Sequence, residues 1–158
     1  MSRFSRVVDV IGADRALKLM ALYPPYLGAG VKVDAVDPGL RSLTVSMRLT
    51  RWNKNAVGVH FGGSLYSLCD PWFMLLLMIR LGPGFIVWDK SASIDFRRPG
   101  RGRVRATFAI DDAWLDALRG EVGEHGKALP RLQVDVVDDD DAVVCRVEKL
   151  ISVRQAKP

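Results

Sequence analysis

The segment "NAVGVHFGGSLYSLCDPWFMLLLMIRLG", Asn55 to Gly82, places the groups most able to do chemistry on or beside an apolar run. Paired glycines, Gly62 and Gly63, open the run, and a carboxylate and a proline, Asp70 and Pro71, interrupt it. The spacing predicts a helix from Gly62 to Leu81, roughly 30 Å long. Pro71 has no N–H, so the Ser67 carbonyl four residues back loses its helical partner, and a kink is expected there. A carboxylate in apolar surroundings has a raised pKa unless it is hydrogen-bonded or paired. Beside a freed carbonyl, it suits a general base or a water-binding site. The same two residues also read as the start of a second helical segment, with Asp70 capping a helix that begins at Pro71. At the other end, the bare N–H groups of Gly62 and Gly63 can hold an oxyanion. A Gly-Gly pair is equally the ordinary tight turn into a helix. Both pairs of readings stand at this point.

The rest of the chain must position these groups. "VVDVIGADRALKLMALYPPY" is partly helical by spacing, and Pro24-Pro25 is expected to stop it. "GVKVDAVD" and "RSLTVSMRL" alternate on either side of Pro38-Gly39, a hairpin signature. After the apolar run come "FIVWDKSASIDF", "RVRATFAI", "LPRLQVDVVD" and "AVVCRVEKLISVR", all rich in Val and Ile and strand-like. Between the second and third of these, Asp111 or Asp112 caps a short helix with Trp114, Leu115 and Leu118 on one face. A tight turn at Asp138 to Asp141 joins the last two strands and carries a solvated acidic cluster. The order is helix, two strands, long helix, two strands, short helix, two strands. That is an α+β domain with a mostly antiparallel sheet.

A length of 158 residues suits one domain with a sizeable core. A membrane span has the length of the apolar run, but a carboxylate at its midpoint costs at least about 2.5 kcal/mol. A helix that is apolar all round is otherwise a buried one. Cys69 and Cys145 lie in apolar contexts and read as reduced thiols of a cytoplasmic protein. Neither has a partner at metal-ligand spacing, so no metal is expected. The N-terminus lacks the h-region and cleavage site of a signal peptide. The net charge of +5 suits an anionic small ligand or nucleic acid, or is simply a basic surface. No RNA-recognition or helix-turn-helix pattern accompanies the basic residues, so nucleic acid is not expected as a partner. P-loop, G-x-G-x-x-G and G-x-S-x-G motifs are missing too.

The pattern of Asn55, Gly58, Gly62-Gly63 and Asp70 resembles the signature of hotdog-fold thioesterases, especially the phenylacetic-acid-degradation type. The spacing from asparagine through glycines to acid matches without a gap. "HFGGSLYSLCDPWFMLLLM" and "VWDKSASIDFRRPG" look closest to a branch known mainly as a domain of unknown function. The resemblance covers about residues 30 to 154. It implies a hotdog fold: a curved antiparallel sheet of about six strands wrapped round one long apolar helix. A single domain, 1–158, then has residues 1–29 as an N-terminal helix and lead-in. It further implies hydrolysis of an acyl-CoA or related acyl thioester without a cofactor, at a site built across a homodimer or a dimer of dimers. Asp70 would be base or nucleophile, Asn55 would orient the water or the carboxylate, and the Gly62 N–H would polarise the thioester carbonyl. Gly63, His60, Phe61, Ser64, Arg97 and Arg98 are assigned to the substrate. One departure stands out: the signature histidine position holds Phe61, and His60 lies one place earlier.

"DFRRPGRGRVRA" carries five arginines, at 97, 98, 101, 103 and 105. Arginine suits the phosphates of coenzyme A, and the resemblance puts "FRRPGRG" near the pantetheine channel. A solvated sheet face is the alternative for these residues. Read locally, "RRPGRG" is a hairpin turn; the resemblance instead places its two strands apart, the first at the dimer seam. Two functions follow: a thioester hydrolase, or a non-catalytic acyl or acyl-CoA binding protein whose Phe61 fills the polar pocket.

Overall fold

A computed structural model of the protein describes residues 3–156. Three short helices lead in: α1 (Arg3–Ile11), α2 (Ala13–Leu19) and α3 (Pro24–Ala29). Pro24 and Pro25 do not end a helix, as the sequence suggested; they begin α3. Proline is preorganised for the first helical turn, where its missing N–H has no partner to lose. The strands are β1 (Val31–Val36), β2 (Ser42–Arg48), β3 (Phe85–Phe96), β4 (Arg103–Ala109), β5 (Lys127–Ala128), β6 (Arg131–Asp138) and β7 (Val143–Gln155). They form one antiparallel sheet in the order β1-β2-β4-β6-β7-β3, with the two-residue β5 added beside β7. The hairpin across Pro38-Gly39 is β1–β2, and the turn through Asp138–Asp141 joins β6 to β7. "RRPGRG" is not a hairpin turn: β3 pairs with β7, while β4 lies between β2 and β6. The helix α6 (Asp112–His125) starts at Asp111, whose side chain accepts the Trp114 N–H at 2.7 Å.

The apolar run is the centre of the core, but it is two helices. Helix α4 spans Gly62–Cys69 and α5 spans Trp72–Leu81. Leu65, Leu68, Trp72, Leu76 and Leu77 are buried against Leu43, Val45, Val104, Val136, Val147 and Ile151 of the sheet. Length and composition would allow Gly62–Leu81 to span a membrane, yet this stretch is what the sheet wraps.

The break is where the backbone accounting matters, because a buried carbonyl without a partner is costly. Asp70 is extended, with φ −113° and ψ 131°. The Ser67 carbonyl expected to be free accepts the Asp70 N–H at 3.3 Å. The Leu68 carbonyl accepts the Trp72 indole N–H at 2.8 Å, and the Asp70 carbonyl accepts the Tyr26 hydroxyl of α3. Nor does Asp70 cap α5, which has no side-chain cap and begins after Pro71. Three donors therefore seal the gap and release the Asp70 side chain for other partners.

Candidate functional site

Asp70 points at a buried lysine. Lys149 of β7 is 1% exposed, and its ammonium donates to Asp70 Oδ1, to Asp89 Oδ2 of β3 at 2.9 Å and to the Tyr66 hydroxyl of α4 at 3.2 Å. An ammonium has three N–H donors, and each has an acceptor here. The nitrogen also lies 5.1 Å from the centre of the Tyr66 ring. Burial acts to lower the Lys149 pKa, but the hydrogen bonds and charges of Asp70 and Asp89 outweigh it and raise it. Asp89 is held above the ordinary carboxylate range, first by burial and further by Asp70, against the pull of Lys149. Two carboxylates thus share one cation. Burial, the Asp70 charge and Tyr23 also push the Tyr26 phenol upward. The neighbouring Cys69 thiol is raised by burial and stays protonated.

The four oxygens of this carboxylate pair are not equivalent. Asp70 Oδ1 and Asp89 Oδ2 are bound to Lys149. Asp89 Oδ1 is buried with no partner. Asp70 Oδ2 has no hydrogen bond among the described residues and is not buried, and the Asp70 side chain as a whole is 41% exposed. It is the oxygen of the pair that is neither bound to Lys149 nor buried.

The other sequence-predicted residues gather at the opposite end of α4. The Asn55 side-chain oxygen accepts the N–H groups of Val57 and Val59, both at 3.1 Å, so its amide NH₂ is what it offers outward. Phe61 precedes the helix and is exposed. A Cβ on Gly63 would run into the Phe61 ring, and one on Gly62 would lie 2.9 Å from the Phe96 ring. Aromatic rings thus lie over both glycines. Ser64 is buried in the first turn. His60 faces the other way: it is 2% exposed, and its Nε2–H donates to the Gly102 carbonyl at 3.1 Å. Burial lowers its pKa against that hydrogen bond, so it is a neutral residue holding the 100–102 loop. Arg97 and Arg98 are exposed just past β3, and each already has an acidic partner. Arg97 pairs with Asp95 at 2.7 Å and Arg98 with Asp138. Arg103 pairs with Asp34 at 2.7 Å and Arg105 with Asp141. The acidic turn is therefore an arginine-paired cluster rather than a merely solvated one.

Two groups result, one at each end of α4. An eight-residue helix is about 12 Å long. The sheet brings Lys149 and Asp89 to Asp70, where Tyr66 of α4 joins them; it does not bring Gly62 or Asn55 there. Lys149, Asp89 and Tyr26 were not among the residues singled out from sequence. A signal for Lys149 existed, because it falls in phase with Cys145, Val147, Ile151 and Val153, all buried, on an alternating strand.

Residues 13–153 match the family model described as "Domain of unknown function (DUF4442)". The chain belongs to this family. DUF4442 here has the hotdog fold of thioesterase-like proteins. A "probable thioesterase" of Pseudomonas aeruginosa is similar at 23% identity and a TM-score of 0.79, over 91% of this chain and 97% of that one. A thioesterase of Haemophilus influenzae is similar at 16% identity and a TM-score of 0.67, over 90% and 91%. The E. coli PaaI protein of the phenylacetic acid degradation operon is similar at 20% identity and a TM-score of 0.61, over 89% and 92%. Comparison with curated proteins finds no match to this DUF4442 chain.

Proposed function

We propose that the protein is an acyl-CoA thioesterase-like hydrolase that works as a homodimer, with Asp70 as its reactive carboxylate. The observation that carries this reading is the Asp70 side chain itself. It sits at a helix break whose backbone is otherwise satisfied, with one oxygen held and the other open. As a general base, that oxygen takes a proton from water; the water oxygen bonds to the thioester carbon, the C–S bond breaks, and the thiolate leaves and is protonated. As a nucleophile it would instead bond to the carbonyl carbon as the C–S bond breaks and the thiolate leaves and is protonated, and water would then cleave the mixed anhydride to the free acid and the Asp70 carboxylate.

The distance along α4 argues for two subunits. A thioester carbonyl must meet its base and its oxyanion donor at nearly the same point, and about 12 Å separates the ends of one α4. Strand β3 supplies the means. It is a sheet edge twelve residues long, and Ser91, Ala92 and Ser93 are exposed in succession, so neither of its faces is covered there. Trp88 is 64% exposed on it. Such an edge is a template for pairing. An antiparallel β3–β3 pair turned about Ala92–Ser93 sets Asp89 of one copy near Phe96 of the other. Asp89 marks the Asp70 end and Phe96 marks the Gly62 end, so the base of one subunit then approaches the helix N-terminus of its partner. Asn55, with its free NH₂, would orient the acyl group or water, and Arg97 and Arg98 would meet coenzyme A phosphates.

One observation favours a non-catalytic acyl or acyl-CoA binding protein instead: Phe61 lies over Gly63, where the signature has a histidine. Hydrolysis of a panel of acyl-CoAs, followed by thiol release, decides between the two. Turnover by the wild type that falls about 100-fold in Asp70→Asn supports the hydrolase. Tight binding without turnover supports the binding protein.

A further inference from the structure

Removing a side-chain charge from water is unfavourable, and a lysine buried on the inner face of a sheet needs a reason. Lys149 occupies an inward position on β7, opposite Ala92 of β3 and Leu132 of β6. An apolar residue there would pack with its neighbours at less risk, since a buried ion pair seldom stabilises more than well-packed hydrocarbon does. What the lysine does that hydrocarbon cannot is bind three oxygens in fixed directions. Its partners come from three elements: Asp70 from the α4–α5 break, Tyr66 from α4 and Asp89 from β3.

We propose that Lys149 is the positioning residue for Asp70: its ammonium, anchored by Asp89 and Tyr66, grips one Asp70 oxygen and so presents the other to the incoming water or acyl group. Asp89 is the second half of the device. It takes a share of the same cation, and so sets how strongly the ammonium draws on Asp70. Without the anchor, Asp70 on its extended backbone would be free to rotate about its side chain. Without the competing acid, Asp70 would hold the whole cation and be a weaker base. The other titratable groups facing the cluster are the Tyr26 hydroxyl, which is bound to the Asp70 carbonyl, and the buried Cys69. Both are neutral, so the charge balance belongs to Lys149 and the two carboxylates. This rests on the hydrolase reading for what Asp70 does, but not for how it is held.

The test uses the full chain and two variants, Lys149→Met and Asp89→Asn. Carboxyl ¹³C NMR follows the titration of the Asp70–Asp89 pair without any substrate, and acyl-CoA hydrolysis is followed as kcat and KM across pH. In Lys149→Met the pair's midpoints move up, kcat falls about 100-fold as expected for a misplaced catalytic group, KM changes little, and the acidic limb of the kcat profile moves up with the midpoints. In Asp89→Asn the remaining carboxyl titrates lower and the acidic limb moves down. Midpoints and limbs that stay in place in both folded variants overturn the proposal. Should Lys149→Met fail to fold, the downward movement in Asp89→Asn, which keeps the lysine, decides alone. If the midpoints move as stated while the wild type hydrolyses no acyl-CoA, the hydrolase reading fails and the placement of Asp70 by Lys149 stands.

Discussion

Replacing Lys149 by methionine keeps most of the side-chain volume and removes only the charge and its donors. Two carboxylates then face each other without a cation, and Asp89 has one oxygen that is already buried and unpartnered. Removing one partner from a buried ionic group costs about 3–5 kcal/mol. In a chain of this length each kcal/mol lowers Tm by roughly 2–4 °C, so the variant should melt about 6–20 °C lower at pH 8. The deficit should depend on pH, with a sign that can be worked out. A lysine whose folded pKa is raised contributes fully below its unfolded value of about 10.4 and loses that contribution only above it. The wild type therefore keeps the Lys149 contribution unchanged between pH 5 and 8. In the variant the carboxylates are raised, so the folded state binds more protons than the unfolded state, and stability returns as pH falls. The Tm gap should narrow from pH 8 to pH 5. Adding Asp89→Asn to Lys149→Met removes the surplus charge and should close much of the gap at pH 8. A gap of equal size at both pH values, or one below about 1 kcal/mol, would refute the idea that the ammonium is the counter-charge of this cluster.

Four further outcomes are expected. Arg97→Ala with Arg98→Ala should raise KM for acyl-CoA about 3- to 10-fold, since both arginines are exposed and each is already paired with an acid of its own; the effect should shrink at high salt and nearly vanish with acyl-pantetheine. Trp88→Glu on the β3 edge should shift sedimentation toward monomer and lower hydrolysis in parallel, whereas a fully active monomer would defeat the shared site. Tyr26→Phe leaves the Asp70 carbonyl unpartnered, and should cost about 1–3 kcal/mol by chemical denaturation. His60 has a lowered pKa when folded, so its contribution is present above the unfolded value of about 6.5 and is lost as pH falls through the folded one; His60→Gln should be less sensitive to acid across that window.

The alternating strands, the central apolar run and a cap at Asp111 or Asp112, which proves to be Asp111, were legible because period and capping chemistry are local properties. Asparagine, glycines and acid form a spaced signature in the sequence, but the spacing does not say that Gly62 and Asp70 lie at opposite ends of α4. Several other placements were not legible either. Pro24-Pro25 opens a helix because proline at a first turn and proline after a last turn look alike in sequence. "RRPGRG" has the composition of a hairpin turn, but its flanking strands find other partners, and strand order is a long-range property. The acidic turn looked solvated because its arginines lie far off in sequence, Arg98 and Arg105 reaching it from before and within β4.

The question raised by an acid and a proline inside an apolar run has an answer that neither local reading supplied. Asp70 is neither an unpaired buried carboxylate nor a helix cap. The proline ends one helix, and the extended residue before it turns its side chain toward β7 and β3. There a lysine that breaks the apolar alternation of its own strand meets it, with an aspartate beside a strand irregularity at Asp89/Ser91. Each of these three residues is an exception on its own element: a carboxylate at a helix break, a lysine in a core stripe, an acid on an edge strand. Read singly, each looks like a defect tolerated by its surroundings. Brought together by the sheet order that places β3 beside β7, they satisfy one another except at Asp89 Oδ1, which is buried, and at Asp70 Oδ2, which is open. A cluster whose only purpose was stability would have no need to leave that oxygen exposed.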